Sequence, residues 1–180
     1  MKFPMGAPRS PEEDARRLLR IYLNDHHSAA VAGVALARRC RSSSSDSTSS
    51  AGINEVVHEI EEDFEVLNRL MRRLQVKPNL LKVVAARSAV ALGRLKLNGR
   101  IVSSSPLSRV IELEALGAGV EGKSRLWAAL AVALGDGAGN AAEGWTFDQL
   151  LARARSQRDR LELHHRDAVG AAFGGANLGH

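Results

Sequence analysis

INEVVHEIEEDFEVLNRLMRRLQV, residues 53–76, is the stretch that decides the fold. Its apolar residues recur with a period of about 3.6 residues, and the pattern is too long and too regular for a strand. They are Ile53, Val56, Val57, Ile60, Phe64, Leu67, Met71 and Leu74. Such a stripe has to be covered by other helices, and three further stretches carry a matching one. The sequence therefore predicts a bundle of helices.

The composition bounds the class of protein. A chain of 180 residues has the length of one domain, and its 4% aromatic content is typical of packed helices rather than of a β-sandwich. A single cysteine, Cys40, cannot form an internal disulfide, and its predicted position near a helix C-terminus would raise its thiol pKa. No apolar run indicates a signal peptide or a membrane span. We therefore expect a cytoplasmic protein without membrane contact.

The net charge of +5 raises the hypothesis of nucleic-acid binding. Most lysines and arginines, however, are scattered singly between acidic residues. The closest pairs lie near predicted helix ends, where the helix dipole favours cations near a C-terminus. A solvated helix face explains this pattern, so nucleic-acid binding is the least favoured functional hypothesis.

The chain divides into a disordered leader at residues 1–9, one helical domain at 10–174 and a frayed tail at 175–180. The first helix begins at Ser10-Pro11-Glu12-Glu13, where a capping serine, a proline and two acids mark a helix start. It runs to about residue 41. A serine-rich segment at 41–52 is predicted to be a flexible loop.

The bounds of the remaining helices are predicted from residues that start or end a helix and from apolar periodicity. Pro78 ends the second helix, and Asn79 caps a helix over 80–97, which at ~1.5 Å per residue spans about 27 Å, the length of a bundle. This segment would carry the chain back, so that the second and third helices run parallel. The third helix, 106–134, is apolar nearly all round and is predicted to be central and buried. The fourth occupies about 146–173.

Two smaller features lie between the third and fourth helices. The glycine-rich loop at 135–144 follows a helix and lacks the sequence of a phosphate loop, so it is predicted to be a turn. Trp127 and Trp145 flank this loop and are predicted to be packing anchors.

This layout resembles the ferritin-like superfamily across roughly residues 11–173. The phrases YLNDHHSAAVAGVALARR (22–39) and EIEEDFEVLNRLMRRLQVKP (59–78) are similar to those of bacterial proteins of that fold. The resemblance implies an all-α, antiparallel four-helix bundle with a helical crossover between helices 2 and 3. Metal-bearing members use a carboxylate from each of two helices and a Glu-x-x-His motif from each of the other two.

The first of two Glu-x-x-His motifs fails a test of facing. With Ile60 at the centre of the apolar face and ~100° per residue, Glu55 lies about 140° away and His58 about 160° away. Both side chains are predicted to point to solvent. We therefore interpret this motif as part of a charged surface.

The second motif, Glu162-Leu-His-His165, lies closer to the core. With Leu161 as the centre, His165 lies about 40° away and Glu162 about 100° away. The sequence leaves open whether His165 binds metal or bonds to a neighbouring side chain.

The other helices add further candidates for a metal site. On the first helix, Asp25 and His26 flank the apolar face, whereas His27 is predicted to point outward. The second helix offers one carboxylate at its edge, and its other acids are predicted to be mostly solvated. On the third helix, Glu114 and Glu121 are predicted to face inward and therefore need partners. The candidate partners are the histidines of the fourth helix, Arg94, Lys96 and Arg109. The complete candidate set is Asp25, His26, Asp63, Glu114, Glu121, Glu162 and His165.

Their predicted depths argue against a dinuclear centre. At ~1.5 Å per residue the candidates spread over about 12 Å along the bundle, whereas two metals ~3.5–4 Å apart need ligands within a narrower band. Internal ion pairing fits these depths best. A mononuclear site or a polar hydrogen-bonded layer remains open.

Two functional hypotheses from different classes follow. The first is a ferritin-like protein with a degenerate metal site and no cofactor, a non-catalytic binding or structural module that pairs through its alanine-rich helix faces as a homo-oligomer or binds a protein partner. The second is a di-iron or di-manganese carboxylate oxidoreductase that uses the candidate set, with iron or manganese as cofactor. The residues do not decide whether the chain is an enzyme.

Overall fold

The computed structural model describes residues 10–42, 47–79, 105–135 and 144–174. These ranges contain no strand and form four helices, which confirms the predicted all-α class. The helices are α1 (Pro11–Ser42), α2 (Ser47–Arg73), α3 (Pro106–Leu134) and α4 (Phe147–Phe173).

Three of the helices begin where capping residues predict a start. Ser10 and Glu13 form reciprocal side chain–backbone hydrogen bonds of 3.2 and 2.9 Å at the start of α1. Ser105 caps α3 immediately before a proline, and its hydroxyl accepts from the Ser108 amide at 3.2 Å. Thr146 and Gln149 form the same reciprocal pair at α4 as the residues at α1. The caps thus satisfy amides that no helical carbonyl can reach.

The end of α2 is a tight turn that begins before Pro78. Gln75 adopts a left-handed φ of 56°, its amide donates to the Arg72 carbonyl at 3.0 Å, and the Val76 amide donates to the Met71 carbonyl at 2.8 Å. This pair of bonds is the Schellman arrangement that closes a helix. The helix therefore ends at Arg73, three residues before the predicted end at residue 76.

The helices leave less room for the serine-rich loop than the sequence predicts. The loop was expected over 41–52, but α1 continues through Ser42 and α2 starts at Ser47. Serine is only moderately unfavourable in a helix, so a serine-rich composition alone does not exclude one.

Several predicted segments lie outside the described residues. They are the leader at 1–9, the whole crossover helix at 80–97, most of the glycine-rich turn at 135–144 and the tail at 175–180.

Each helix packs against two others, in the pairs α1–α2, α1–α3, α2–α4 and α3–α4. In three of these pairs, the contacts involve rising residue numbers on one helix and falling residue numbers on the other, so the two helices run antiparallel. Examples are His27–Asn68 and Arg38–Glu61 for α1–α2, Asp63–Arg153 and Glu59–Arg160 for α2–α4, and Glu114–His165 and Glu121–Arg158 for α3–α4. The numbering of α2 and α3 therefore rises in the same direction.

The core consists of two apolar clusters stacked along the helices. The Ile53 cluster takes α1 residues from Val34 to Cys40 and the first half of α2. The Trp127 cluster contains Leu23, the second half of α2 and the end of α3. Trp127 is the largest fully buried side chain, and Trp145 packs against the same cluster, consistent with the predicted role of both as anchors.

The buried face of α1 is rotated by about one residue from the predicted stripe. The stripe that the sequence predicts on α1 runs through Leu18, Tyr22 and His26, but Leu18 is 60% exposed, whereas His27, expected outside, is buried. The true core face includes polar residues with local partners: Asn24 donates to the Arg20 carbonyl at 3.0 Å, and Ser28 donates to the Asn24 carbonyl at 2.9 Å. The prediction for His27 was wrong because it centred the apolar stripe on Tyr22, about one residue away from the true core face.

The prediction that α3 is buried all round was also wrong. One side of the helix contributes Leu113, Leu116 and Trp127 to the core, but the opposite side is open and Val132 is 85% exposed. Because many of its outward residues are alanine and glycine, the sequence pattern does not separate an inner from an outer face.

We predict a large contrast between the same substitution at two leucines. Leu130→Ala should lower the free energy of unfolding by about 2–5 kcal/mol, because Leu130 is fully buried and the truncation leaves a cavity. Leu163→Ala is the matched control, since Leu163 is 61% exposed, and should change stability by less than about 0.5 kcal/mol. Urea unfolding measures both, and equal losses would contradict the described packing.

Candidate functional site

The most unusual feature of the interior is a buried carboxylate, Asp63, which is 1% exposed on α2. One of its oxygens, Oδ1, accepts from the Arg153 guanidinium. The other, Oδ2, accepts from the Lys123 ammonium and from the Gln157 amide at 3.1 Å. Three helices therefore meet at this carboxylate, and we call these four residues the Asp63 cluster.

The amide of Gln157 links two members of the cluster. Its Oε1 accepts from Lys123 Nζ at 2.5 Å, while its Nε2 donates to Asp63. These two bonds fix the orientation of an amide that is completely buried. Gln157 thus acts as a neutral spacer that satisfies both a cation and an anion.

Arg153 joins the cluster to the surface. Its Nη1 bonds to Glu62 at 2.8 Å, and its guanidinium carbon lies 3.9 Å from the centroid of the Trp145 ring. With Glu62 included, two carboxylates face two cations, so the charges balance. A buried ion is tolerated only when it is paired and hydrogen-bonded, and this arrangement meets both conditions for Asp63.

Burial also shapes the electrostatics of Lys123. Removal from water lowers the pKa of its ammonium, while the Asp63 carboxylate opposes this shift and Arg153 adds to it. The side chains of Lys123, Arg153 and Asp63 are only 15%, 10% and 1% exposed. Within the described residues, the Asp63 carboxylate is therefore shielded from solvent, and only edges of Lys123 and Arg153 reach it.

Ion pairs continue outward from the cluster along α2 and α4. Arg160 bonds to Glu59 at 2.5 Å and lies 3.5 Å from Glu55. On the other side of α2, Glu61 bonds to Arg38 of α1 at 2.5 Å. The prediction that these neighbouring acids are mostly solvated was wrong for Glu59 and Glu61, since both are partly covered and join helices.

A second polar contact holds α1 against α3. Arg39 pairs with the buried Glu112 at 2.5 Å, and Arg109 donates to the Cys40 carbonyl at 2.6 Å. Burial, more than any other cause, raises the pKa of the Cys40 thiol to about 11. The predicted poor nucleophilicity of this cysteine is consistent with that value, although burial and not the helix dipole is the main reason.

The candidate metal ligands are distributed over separate places. Asp25 is exposed, and His26 is half-buried with its ring centroid 4.5 Å from that of Tyr22. Glu121 pairs with Arg125 at 2.8 Å and with Arg158 at 3.6 Å. Asp63, expected at the edge of the core, lies inside it.

Three candidates do come together, although near the surface. His165 Nε2 lies 3.2 Å from Glu114, and His165 Nδ1 lies 4.0 Å from Glu162. The expected partnership between a helix-3 acid and a helix-4 histidine is therefore present. Glu114 is 57% exposed and Glu121 is 40% exposed, however, so the expectation of two inward acids on α3 was wrong.

The first Glu-x-x-His motif points outward, as its facing predicts. Glu55 and His58 have side chains that are 75% and 73% exposed. His58 lies 3.4 Å from Glu62 of its own helix. The motif is part of the charged surface.

The donor set does not fit a dinuclear metal centre. Both oxygens of Asp63 are engaged by cations, and Lys123 and Arg153 supply positive charge where a metal ion would need negative ligands. Glu114 lies nine residues before Lys123 on α3, about 14 Å along the helix at ~1.5 Å per residue. Among the described residues, no group of three histidine, cysteine or acidic side chains could hold a metal ion.

Sequence reasoning missed Lys123, Arg153 and Gln157. A signal for two of them was present, because Gln157 lies between Ala154 and Leu161 at core spacing, and Lys123 lies between Val120 and Trp127. A polar residue at a core position of a helix predicts a buried partner. The missing step was to match such positions between helices.

Comparison of the chain with protein-family models, with curated proteins and with solved structures gives no match. Within the described ranges, no helix has an apolar stretch long enough to cross a membrane.

We predict that the bond network makes Asp63 far more important to stability than its neighbour. Asp63→Ala should cost about 3–5 kcal/mol of unfolding free energy, because it leaves the buried Lys123 without its carboxylate. Glu62→Ala, which removes a 46%-exposed partner of the same arginine, should cost about 1 kcal/mol or less. Equal shifts of the two urea midpoints would show that the cluster is not closed.

A second prediction concerns acid stability and His27. Burial lowers the pKa of its ring, and the hydrogen bond to Asn68 at 3.0 Å opposes this shift only in part. As the pH falls below 6.5, the ordinary pKa of histidine, the unfolded chain binds a proton at this residue before the folded chain does. The free energy of unfolding therefore falls. Above that pH the residue contributes no pH dependence.

His27→Gln should therefore flatten the acid side of a plot of unfolding free energy against pH. His58→Gln is the control, because the His58 side chain is 73% exposed. His26 and His164, whose pKa values burial also lowers, should keep part of the slope in both variants. An unchanged slope in His27→Gln would contradict the assignment.

Proposed function

We propose that this chain is a ferritin-like bundle protein that acts as a non-catalytic binding or structural module. In this proposal, the Asp63 cluster occupies the centre of the bundle in place of a metal site. The module would work by presenting helix faces to a protein partner or to another copy of itself.

The register of the helices supports the ferritin-like arrangement. The end of the α2 segment lies beside α1 at Asn24, whose side chain accepts from the Asn79 amide at 2.6 Å. The start of α3 lies beside Cys40, where Arg109 binds. These two points are 16 residues apart on α1, or about 24 Å at ~1.5 Å per residue. A connection of that span is what a ferritin-like crossover requires.

The observation that carries the functional proposal is the chemistry around Asp63. A carboxylate at the centre of a bundle could serve as a metal ligand only with other anionic or neutral donors around it. Here it is surrounded by an ammonium, a guanidinium and an amide that donates to it. Because the positive charge is built into the protein, the interior is electrically complete without a cation.

One observation favours the alternative, a di-iron or di-manganese carboxylate oxidoreductase. Glu114, Glu162 and His165 approach one another and include the Glu-x-x-His pattern of α4. Glu114 and Glu162 are about half-exposed, and among the described contacts α2 brings no acid or histidine that bonds to these three residues. This leaves the alternative weaker than the metal-free proposal.

Metal analysis tests the proposal. Protein purified without a histidine tag, after growth with added iron or manganese, should contain well below one metal ion per chain. Added Fe²⁺ or Mn²⁺ should leave the melting temperature unchanged, because a ligand that does not bind cannot stabilise the folded state.

Stoichiometric metal would contradict the proposal. One or more iron or manganese ions per chain, lost in both Glu114→Ala and His165→Ala, would overturn the proposal in favour of the oxidoreductase. Glu12→Ala is the control for these variants, since Glu12 is an exposed glutamate whose partner among the described residues is Arg16 of its own helix.

A further inference from the structure

The outer side of α3 carries a continuous strip that nothing in the described chain covers. Its residues recur at intervals of three, four or seven, so at ~100° per residue they fall within an arc of about 60°. At its two ends lie exposed apolar side chains, with Leu107 42% and Val132 85% exposed. The strip consists of Leu107, Glu114, Ala118, Arg125, Ala129 and Val132.

The middle of α3 contains very small residues at positions where the described residues make no close packing contact. A Cβ added at Gly119 or Gly122 would meet no atom of the described residues within 4 Å outside its own turn. Glycine is among the least favourable residues in a helix interior, and packing among the described residues does not account for its use there. At ~100° per residue, Gly122 lies about 20° beyond Ala129 at the edge of the strip, so Gly122 and Ala118 let the backbone of another helix approach closely.

We propose that α3 pairs antiparallel with the α3 of a second copy of this chain, around a two-fold axis between Gly119 and Val120. This inference rests on the proposed binding or structural role and names its partner. The symmetry brings Leu107 opposite the partner's Val132, because these residues lie 12 positions outside Gly119 and Val120, respectively. The two exposed apolar ends of the strip thereby cover each other twice.

The same axis matches the charges. Glu114 lies five positions before Gly119, and Arg125 lies five positions after Val120, so each faces its opposite on the partner. Their side chains are 57% and 79% exposed, which leaves them accessible to an approaching helix. The internal contacts of Glu114 with His165 and of Arg125 with Glu121 leave free oxygens and N–H groups for a second bond.

This self-complementarity is the reason to assign a second copy as the occupant. A two-fold interface requires one surface whose features pair with each other when it is rotated onto itself. About this single point, Leu107 pairs with the partner's Val132 and Glu114 pairs with the partner's Arg125. A different partner would need no such internal symmetry.

The first test is the mass of the full chain in solution. Light scattering coupled to size exclusion should give twice the 19.3 kDa of one chain. Ala118→Glu, at an exposed position in the centre of the strip, should give the monomer mass with unchanged helicity. Ala152→Glu, at an exposed position on α4, is the control and should remain dimeric.

The second test is the register. Glu114→Arg and Arg125→Glu should each weaken the dimer, because each places like charges opposite one another, and the double variant should recover it. Loss of the dimer in the double variant as well would overturn the proposed pairing.

Cross-linking gives an independent measure of the same register. A chain carrying both Leu107→Cys and Val132→Cys should form a disulfide-linked dimer on mild oxidation. Neither single variant should do so, because identical positions lie about 37 Å apart across the axis at ~1.5 Å per residue. Cross-linking of a single variant would place the axis elsewhere and overturn the proposal.

The two proposals fail separately. A monomer with no bound metal would overturn the α3 pairing and leave the metal-free bundle standing. A dimer with stoichiometric iron would do the reverse.

Discussion

The charge on Asp63 is the constraint from which the middle of the molecule follows. An ionised carboxylate that water does not reach costs several kcal/mol unless cations and donors replace its hydration. Lys123 and Arg153 come from different helices, so the cost is met only when α2, α3 and α4 are aligned in one register. A slip by one turn, about 5.4 Å, would separate these groups and leave buried charges unpaired. The cluster also divides the core, because Asp63 follows Ile60 of the Ile53 cluster and precedes Val66 of the Trp127 cluster.

The parts of the fold that local chemistry determines could be predicted from the sequence. The starts of α1, α3 and α4 lie where Ser10, Ser105 and Thr146 offer a side-chain oxygen to amides that need one. The outward facing of Glu55 and His58 followed from helical periodicity alone. In each case the deciding partner lies within a few residues, so the sequence carries the whole interaction.

The parts that depend on partners from other helices could not be predicted in this way. His27 was expected outside because the apolar stripe of α1 was centred on Tyr22, but on the true core face it bonds to Asn68 and contacts the ring of Phe64, both on α2. Asp63 was placed at an edge because it lies about 60° from Ile60 on the helix, and its three partners, which are distant in the chain, were not recognised. On α3, alanine and glycine blur the difference between inner and outer faces. Of the Asp63 cluster, the sequence therefore indicated only Asp63, and the three residues that complete the cluster were missed.

The positions of the two tryptophans have a practical consequence. Trp127 lies within its cluster and Trp145 packs against it, so both indoles lie at the same end of the bundle. The half built around Ile53 contains neither of them. Intrinsic fluorescence therefore reports on only one end of this protein, and loosening of the opposite end, where α1 finishes and α3 begins, is optically silent until the disturbance reaches the indoles.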